Sequence, residues 1–257
     1  MHIVGSGFLA RSLGPLADRH PDTVVLAAGV SWASGTSAAD FRRESDLLRE
    51  WSDRCAATGR RLLFFSTAST GMYGRVAGRA AEDMAVEPCT PYGRHKLAME
   101  RQLADSGADF LVLRLAHLVG RGQPPHQLLP VLARQVREGA VQIHRGASRD
   151  LIAVDDALTV IDRLLALRLR GETVNVASGS AVPVERIVDW LEHRLGTRAR
   201  REYRSAGARH CVSTAKLLRL VPEAAGLGFG TDAYPLKALD AFPLGPPRSA
   251  GTAAAPS

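Results

Sequence analysis

The sequence is poor in cysteine, lysine and aromatic residues, and each scarcity excludes something. Its three cysteines, Cys55, Cys89 and Cys211, are scattered and in no metal-ligand spacing, so neither a disulfide scaffold nor a metal site is expected. That usage suits a reducing, cytoplasmic compartment. No apolar run is long enough to span a bilayer. The first residues, Met1-His2-Ile3-Val4-Gly5, enter a strand pattern at once, without the charged and apolar regions of a secretory signal. Aromatic residues make up 5% of the chain, too few to interleave with the basic ones as in a nucleic-acid surface. The net charge of +7 is carried almost wholly by arginines spread along the chain, which favours an anionic partner but neither nucleic acid nor a membrane.

What is present is an alternation. Short apolar runs at 2–4, 23–28, 61–66 and 109–115 read as strands, and the segments between them carry helical periodicity, notably 40–58 and 92–106. The first helical pattern runs from the glycines to about residue 19. Pro91 stands at the favoured first-turn position of the 92–106 helix. Strands alternating with helices give an α/β fold, a Rossmann-like parallel sheet with helices on both faces. After residue 118 the rhythm changes: helices are expected at 128–138, from 156 to about 170, and at 184–195, with strands at 141–144 and 173–176. The expected organisation is a dinucleotide-binding domain over 1–118, a smaller substrate-binding lobe over 119–244 that interleaves with the sheet, and a disordered Pro/Gly/Ala/Ser tail over 245–257.

Two motifs carry chemistry. Gly5-x-Gly7-x-x-Ala10 lies between a strand and a helix, where small residues let backbone approach a pyrophosphate and the helix start supplies N–H donors. Tyr92 and Lys96 stand four apart, on one face of a helix, in a chain with only three lysines and four tyrosines. An ammonium so placed is expected to lower the phenol pKa and ready it for proton transfer.

Together with Leu26-Ala27-Ala28-Gly29, the run from Phe65 through Ser66, Thr67, Ser69 and Thr70 to Met72-Tyr73-Gly74, and Arg149-Asp150-x-Ile152-x-Val154-Asp155-Asp156, these motifs mark a resemblance. Over residues 1–200 the chain resembles the extended short-chain dehydrogenase/reductases, the nucleotide-sugar epimerase/dehydratase family. The resemblance implies NAD or NADP held by Gly5, Ser6, Gly7, Phe8, Leu9, Ala10, Ala27, Ala28, Gly29, Ser66 and Thr67, with Tyr92 and Lys96 at the nicotinamide end. It implies Tyr92 as the acid/base, Lys96 as the ribose-holding partner and Ser69 as the hydroxyl on the reacting oxygen, with Thr70 and Thr67 as alternatives. His117 falls near the sugar phosphates and Arg149 on the substrate pyrophosphate. It also implies a homodimer through two helices per subunit, here 40–58 and 92–106.

Two departures sharpen this. The Leu26-Ala27-Ala28-Gly29 strand follows the glycines after one short helix, so roughly thirty residues, about one βαβ unit, are missing on the adenosine side. Val25 stands in a strand interior about 20 residues past the glycines, where an acid would read the ribose hydroxyl, so nothing in the sequence chooses NAD over NADP. Where family dehydratases and decarboxylases carry acids, this chain reads Thr70-Gly71. The chemistry that survives needs only hydride transfer and one proton shuttle, and the preferred reading is reduction of an NDP-4-keto-6-deoxysugar with a Tyr92 proton. The alternatives are 4-epimerisation and a non-catalytic dinucleotide-binding or sensor protein. Cys89 is a further acid/base candidate, with a small apolar filler as its alternative.

Overall fold

β1 (His2–Val4), β2 (Thr23–Leu26), β3 (Arg61–Thr67), β4 (Phe110–Leu115) and β8 (Glu172–Val176) form one sheet in the order β1-β2-β3-β4-β8, every neighbouring pair parallel. These assignments come from a computed structural model that describes residues 1–31, 36–74, 78–205, 207, 209 and 211–244. All seven residues of β3 are buried, as expected of a central strand covered on both faces. Because side chains alternate across a strand, Leu62 and Phe64 feed one core and Leu63 and Phe65 the other. The first core is closed by α2 (Ala38–Thr58) and α4 (Pro91–Ala104) through Leu48, Cys55, Met99 and Leu103. The second continues into the C-terminal half of the chain.

Helix boundaries follow local chemistry. Ser37 caps α2 in a reciprocal box with Asp40, and Gly59, at φ +65°, ends it. Thr90 caps α4, its hydroxyl accepting from Gly93 N at 3.0 Å, and Pro91 opens the first turn. The helix expected through residue 19 does not run that far. α1 covers only Phe8–Ser12, and Gly14-Pro15 converts the rest into a 3-10 segment, Gly14–Arg19, because proline has no N–H for the α ladder. The helix expected to reach 170 is α6 (Val154–Ala166), stopped before Arg168, which takes φ +54°.

The segment after residue 118 contributes β8 to the main sheet and builds two smaller ones. β5 (His117–Val119) pairs in parallel with β7 (Ser148–Ala153), and β9 (Ala181–Pro183) pairs antiparallel with β7. β6 (Ala140–His144) and β10 (Arg200–Arg204) form a parallel pair beside α5 (Leu128–Arg137) and α7 (Val184–Leu195). α8 (Ala215–Leu220) and α9 (Tyr234–Asp240) complete the fold. The tail expected at 245–257 lies outside the described residues. Among the described residues, no helix is long and apolar enough to cross a membrane, and no group of His, Cys, Asp or Glu is placed to hold a metal ion.

Candidate active site

The C-terminal ends of β2, β3 and β4 open into a cavity of about 380 Å³, the edge where parallel α/β sheets bind ligands. The glycine turn forms one wall. Gly5 takes φ +133°, and a Cβ there would lie 2.5 Å from Ala27 O, so only glycine lets the turn pack on the end of β2. Gly7, Phe8 and Leu9 then line the cavity together with Ala27 and Gly29. The opposite wall comes from β5 and the segment behind it: His117, Gln123, His126 and Gln127. His126 Nε2 lies 3.3 Å from Ser31 Oγ, a contact joining the two walls.

Between the walls stand Ser66, Thr67, Ser69, Tyr92 and Lys96, all lining the cavity. Ser69 precedes α3 (Thr70–Tyr73) in extended backbone, and its hydroxyl makes no capping bond; its own N–H donates to Thr67 Oγ1 at 3.1 Å. Tyr92 sits in the first turn of α4, and Lys96 one turn on points back beneath it, Nζ 5.8 Å from the centre of the phenol ring. Lys96 is buried and donates to Glu44 Oε1 at 2.7 Å and Phe65 O at 3.2 Å. Two of its three protons are so placed, leaving one to offer.

Glu44, the buried partner of Lys96, was not among the expected site residues. It is fully buried on the inner face of α2, one turn before Leu48 and two before Ser52, both buried too. That spacing was the available signal: an acid on the apolar stripe. Its second oxygen lies 2.9 Å from His95 Nε2 and accepts from Val30 N at 3.3 Å. Burial pushes the Glu44 carboxyl up, but the Lys96 charge and the bonds from His95 and Lys96 outweigh it and hold it at about 2.

The pairing changes the expectation for Tyr92. A lowered phenol pKa was expected; the structure gives a raised one. Burial pushes it up, Lys96 pulls it down, and Glu44 adds a further upward push. For Lys96, burial acts to lower the ammonium, but Tyr92 and Glu44 win and raise it.

Beneath the site, Arg114 of β4 donates to both oxygens of Glu100 of α4, the shortest bond 2.7 Å, and to Tyr73 Oη at 3.0 Å. Tyr73 donates to Asn175 Oδ1 at 2.6 Å, and Ser66 donates to Glu100. This buried network ties α3 and α4 to β3, β4 and β8, fixing the helices that carry Ser69, Tyr92 and Lys96.

Other expected residues fall elsewhere. Gly5, Ser6, Ala10 and Ala28 do not line the cavity; Gly5 shapes the turn, Ser6 O accepts from Arg11, and Ala10 faces the core. Thr70 opens α3, its carbonyl accepting from Cys89 Sγ and Gly74 N, and neither Thr70 nor Cys89 lines the cavity. Arg149 lies half-buried on β7, paired with Val182, and donates to Ser148 O; it is also outside the lining.

The lining suits a nicotinamide dinucleotide at its phosphate and nicotinamide-ribose end: a side-chain-free turn at Gly7 for close backbone approach, and a buried ammonium at the other end. A model of the NAD dependent epimerase/dehydratase family matches residues 11–177, more than half of the sequence. The chain belongs to that family. Within the family it is 29% identical over 200 residues to the dTDP-6-deoxy-L-talose 4-dehydrogenase (NAD(P)(+)) of Kitasatospora kifunensis, covering 72% of this chain and 62% of that protein. It is 28% identical over 198 residues to the GDP-6-deoxy-D-mannose reductase of Pseudomonas aeruginosa, covering 70% and 65%. The chain thus spans less than two thirds of the length of these family relatives. Among solved structures it shares the fold of MoeE5 in complex with UDP-glucuronic acid and NAD, at TM-score 0.73 and 24% identity over 86% of this chain and 77% of that one. RMD from Pseudomonas aeruginosa complexed with NADPH matches at TM-score 0.68 and 24% identity, over 89% and 83%.

Proposed function

We propose that the protein is an NAD(P)H-dependent oxidoreductase of nucleotide-activated sugars, a 4-ketoreductase of an NDP-4-keto-6-deoxysugar. The observation that carries this reading is the make-up of the cavity. Tyr92, Lys96 and Ser69 line one cavity with Gly7, Phe8 and Leu9, and none of the described lining residues is an aspartate or glutamate. Dehydration needs a separate acid and base; carbonyl reduction needs one proton donor. Two relatives named for redox chemistry on 6-deoxysugar nucleotides support the substrate class.

In this reading Gly7, Phe8 and Leu9 take the cofactor phosphates, and Lys96 offers its remaining proton to the nicotinamide ribose. The dinucleotide, when bound, supplies the hydride. Ser69 hydrogen-bonds the ketone oxygen, and Tyr92 gives that oxygen its phenolic proton. His117, Gln123, His126 and Gln127 form the sugar-nucleotide side. Thr70 and Arg149 stand outside this lining. A phenol held above its ordinary pKa is a donor at neutral pH, which suits reduction better than proton abstraction. The same reading keeps the enzyme cytoplasmic and dimeric, with α2 and α4 at the subunit contact.

Titration of the protein with NADH and NADPH, read by nicotinamide fluorescence, should give saturable binding. Tyr92→Phe should lower kcat with a 4-keto-6-deoxy nucleotide sugar by roughly 10²-fold or more with dinucleotide affinity unchanged. Absence of binding to either nucleotide at millimolar levels would sink the reading.

A further inference from the structure

Lys96 is locked to a carboxylate. Glu44 reaches across from α2 and accepts from Nζ at 2.7 Å, whereas the centre of the Tyr92 ring lies 5.8 Å from Nζ. The site is tight around that pair: a Cβ on Gly29 would lie 2.3 Å from Glu44 Oε1 and 3.1 Å from Lys96 Nζ, so the cavity floor at Gly29 rests directly on the two charges. An ammonium alone beside a phenol stabilises the phenolate; an ammonium in contact with an anion has little net field left to do so. Among the described residues, the charged and titratable groups facing this cluster are few. Tyr92 and Lys96 lie on α4, as does His95 on the far oxygen of Glu44. Glu100, the other acid acting on Lys96, is tied to Arg114.

We propose that Glu44 is a positioning residue that keeps the proton on Tyr92: it cancels the charge of Lys96, so that the phenol enters the reaction protonated, as a proton donor to a ketone. This rests on the reductase reading above. In the step it governs, the Tyr92 O–H bond breaks and its proton goes to the ketone oxygen while reduced nicotinamide dinucleotide delivers hydride to the carbon. The ketone is reduced to an alcohol, the nicotinamide is oxidised, and solvent returns a proton to the phenolate. The upward push of Glu44 on the Tyr92 phenol agrees with the geometry.

The test follows Tyr92 itself. Ring-labelled tyrosine in the ligand-free protein, assigned by loss of its signal in Tyr92→Phe, gives the phenol titration by NMR. Glu44→Gln keeps an acceptor for Lys96 but removes the charge, and the Tyr92 midpoint should fall by about one pH unit or more. His95→Gln, which replaces the imidazole at the other oxygen of Glu44 but leaves the Glu44 charge, should leave the midpoint in place. A midpoint that is unmoved in Glu44→Gln, or that moves equally in His95→Gln, overturns the proposal. If Glu44→Gln fails to fold, the wild-type midpoint decides: at or above the phenol's ordinary 10.0 supports it, and a value near neutral overturns it. Failure of NADH and NADPH to bind would remove the reductase reading and leave this titration intact. Bound dinucleotide with an unmoved midpoint would remove the role of Glu44 alone.

Discussion

Gly93 and Gly71 meet backbone to backbone: a Cβ on Gly93 would lie 2.0 Å from Gly71 O. The contact holds the first turn of α4, which carries Tyr92, against α3, which Ser69 precedes. Gly93→Ala should gain about 0.8–1.0 kcal/mol of helix propensity, yet the clash with backbone outweighs it. Net destabilisation of about 1–3 kcal/mol is expected in urea denaturation. Because the shift displaces Tyr92, kcat should fall by more than the loss of folded protein accounts for.

The Arg114–Glu100 pair is buried and shared by Tyr73 and Ser66. Arg114→Met leaves the Glu100 carboxylate enclosed with one hydroxyl donor, which should cost about 3–5 kcal/mol. Adding Glu100→Leu removes the stranded charge and should recover part of that loss. Urea unfolding of both variants measures the difference; a single variant within 1 kcal/mol of wild type, on the order of a surface ion pair, would show that the network does not hold the site.

Much of this was legible in the sequence because the signals are local. The buried run from Leu62 to Phe65, the glycines before Phe8 and the Thr90-Pro91 start of α4 each declare an element through its own residues. The 184–195 helix was read to the residue as α7. What stayed hidden depends on partners far along the chain. β9 has three residues, too few to display a period of two, and β10, Arg200-Arg201-Glu202-Tyr203-Arg204, is charged almost throughout and shows no apolar alternation. Spacing shows Glu44 only as an acid on the apolar stripe of α2, and its role depends on Lys96 and His95, which α4 brings against it about fifty residues later in the sequence. The raised phenol of Tyr92 has the same origin: spacing reveals Lys96, but not the burial or the carboxylate that outweigh it.

The sheet ends at β1, a three-residue edge strand, and β2 follows where the resemblance expects the adenosine half. Among the described lining residues, Lys96 is the one lysine, arginine, aspartate or glutamate, and the proposed function gives it to the nicotinamide ribose. Nothing there distinguishes a ribose 2′-hydroxyl from a 2′-phosphate. NADH and NADPH should therefore bind with Kd values within about tenfold of each other, a difference under about 1.4 kcal/mol. Fluorescence titration at fixed ionic strength checks this; a hundredfold preference for either would reveal a discriminating group that the lining lacks.

Glu44 also predicts how stability responds to acid. Its folded carboxyl is held at about 2 against an ordinary 4.5, a depression caused by Lys96 and His95 that wins over burial. A depressed carboxyl binds fewer protons in the folded state than in the unfolded one, so its contribution is complete above pH 4.5 and is lost as pH falls toward 2. Glu44→Gln has no such proton to take up. The gap in unfolding free energy between wild type and Glu44→Gln should thus be widest near neutral pH and shrink steadily between 4.5 and 2. Urea denaturation across that range measures it directly, and a gap independent of pH would mean that Lys96 and His95 do not hold the carboxylate in its charged form.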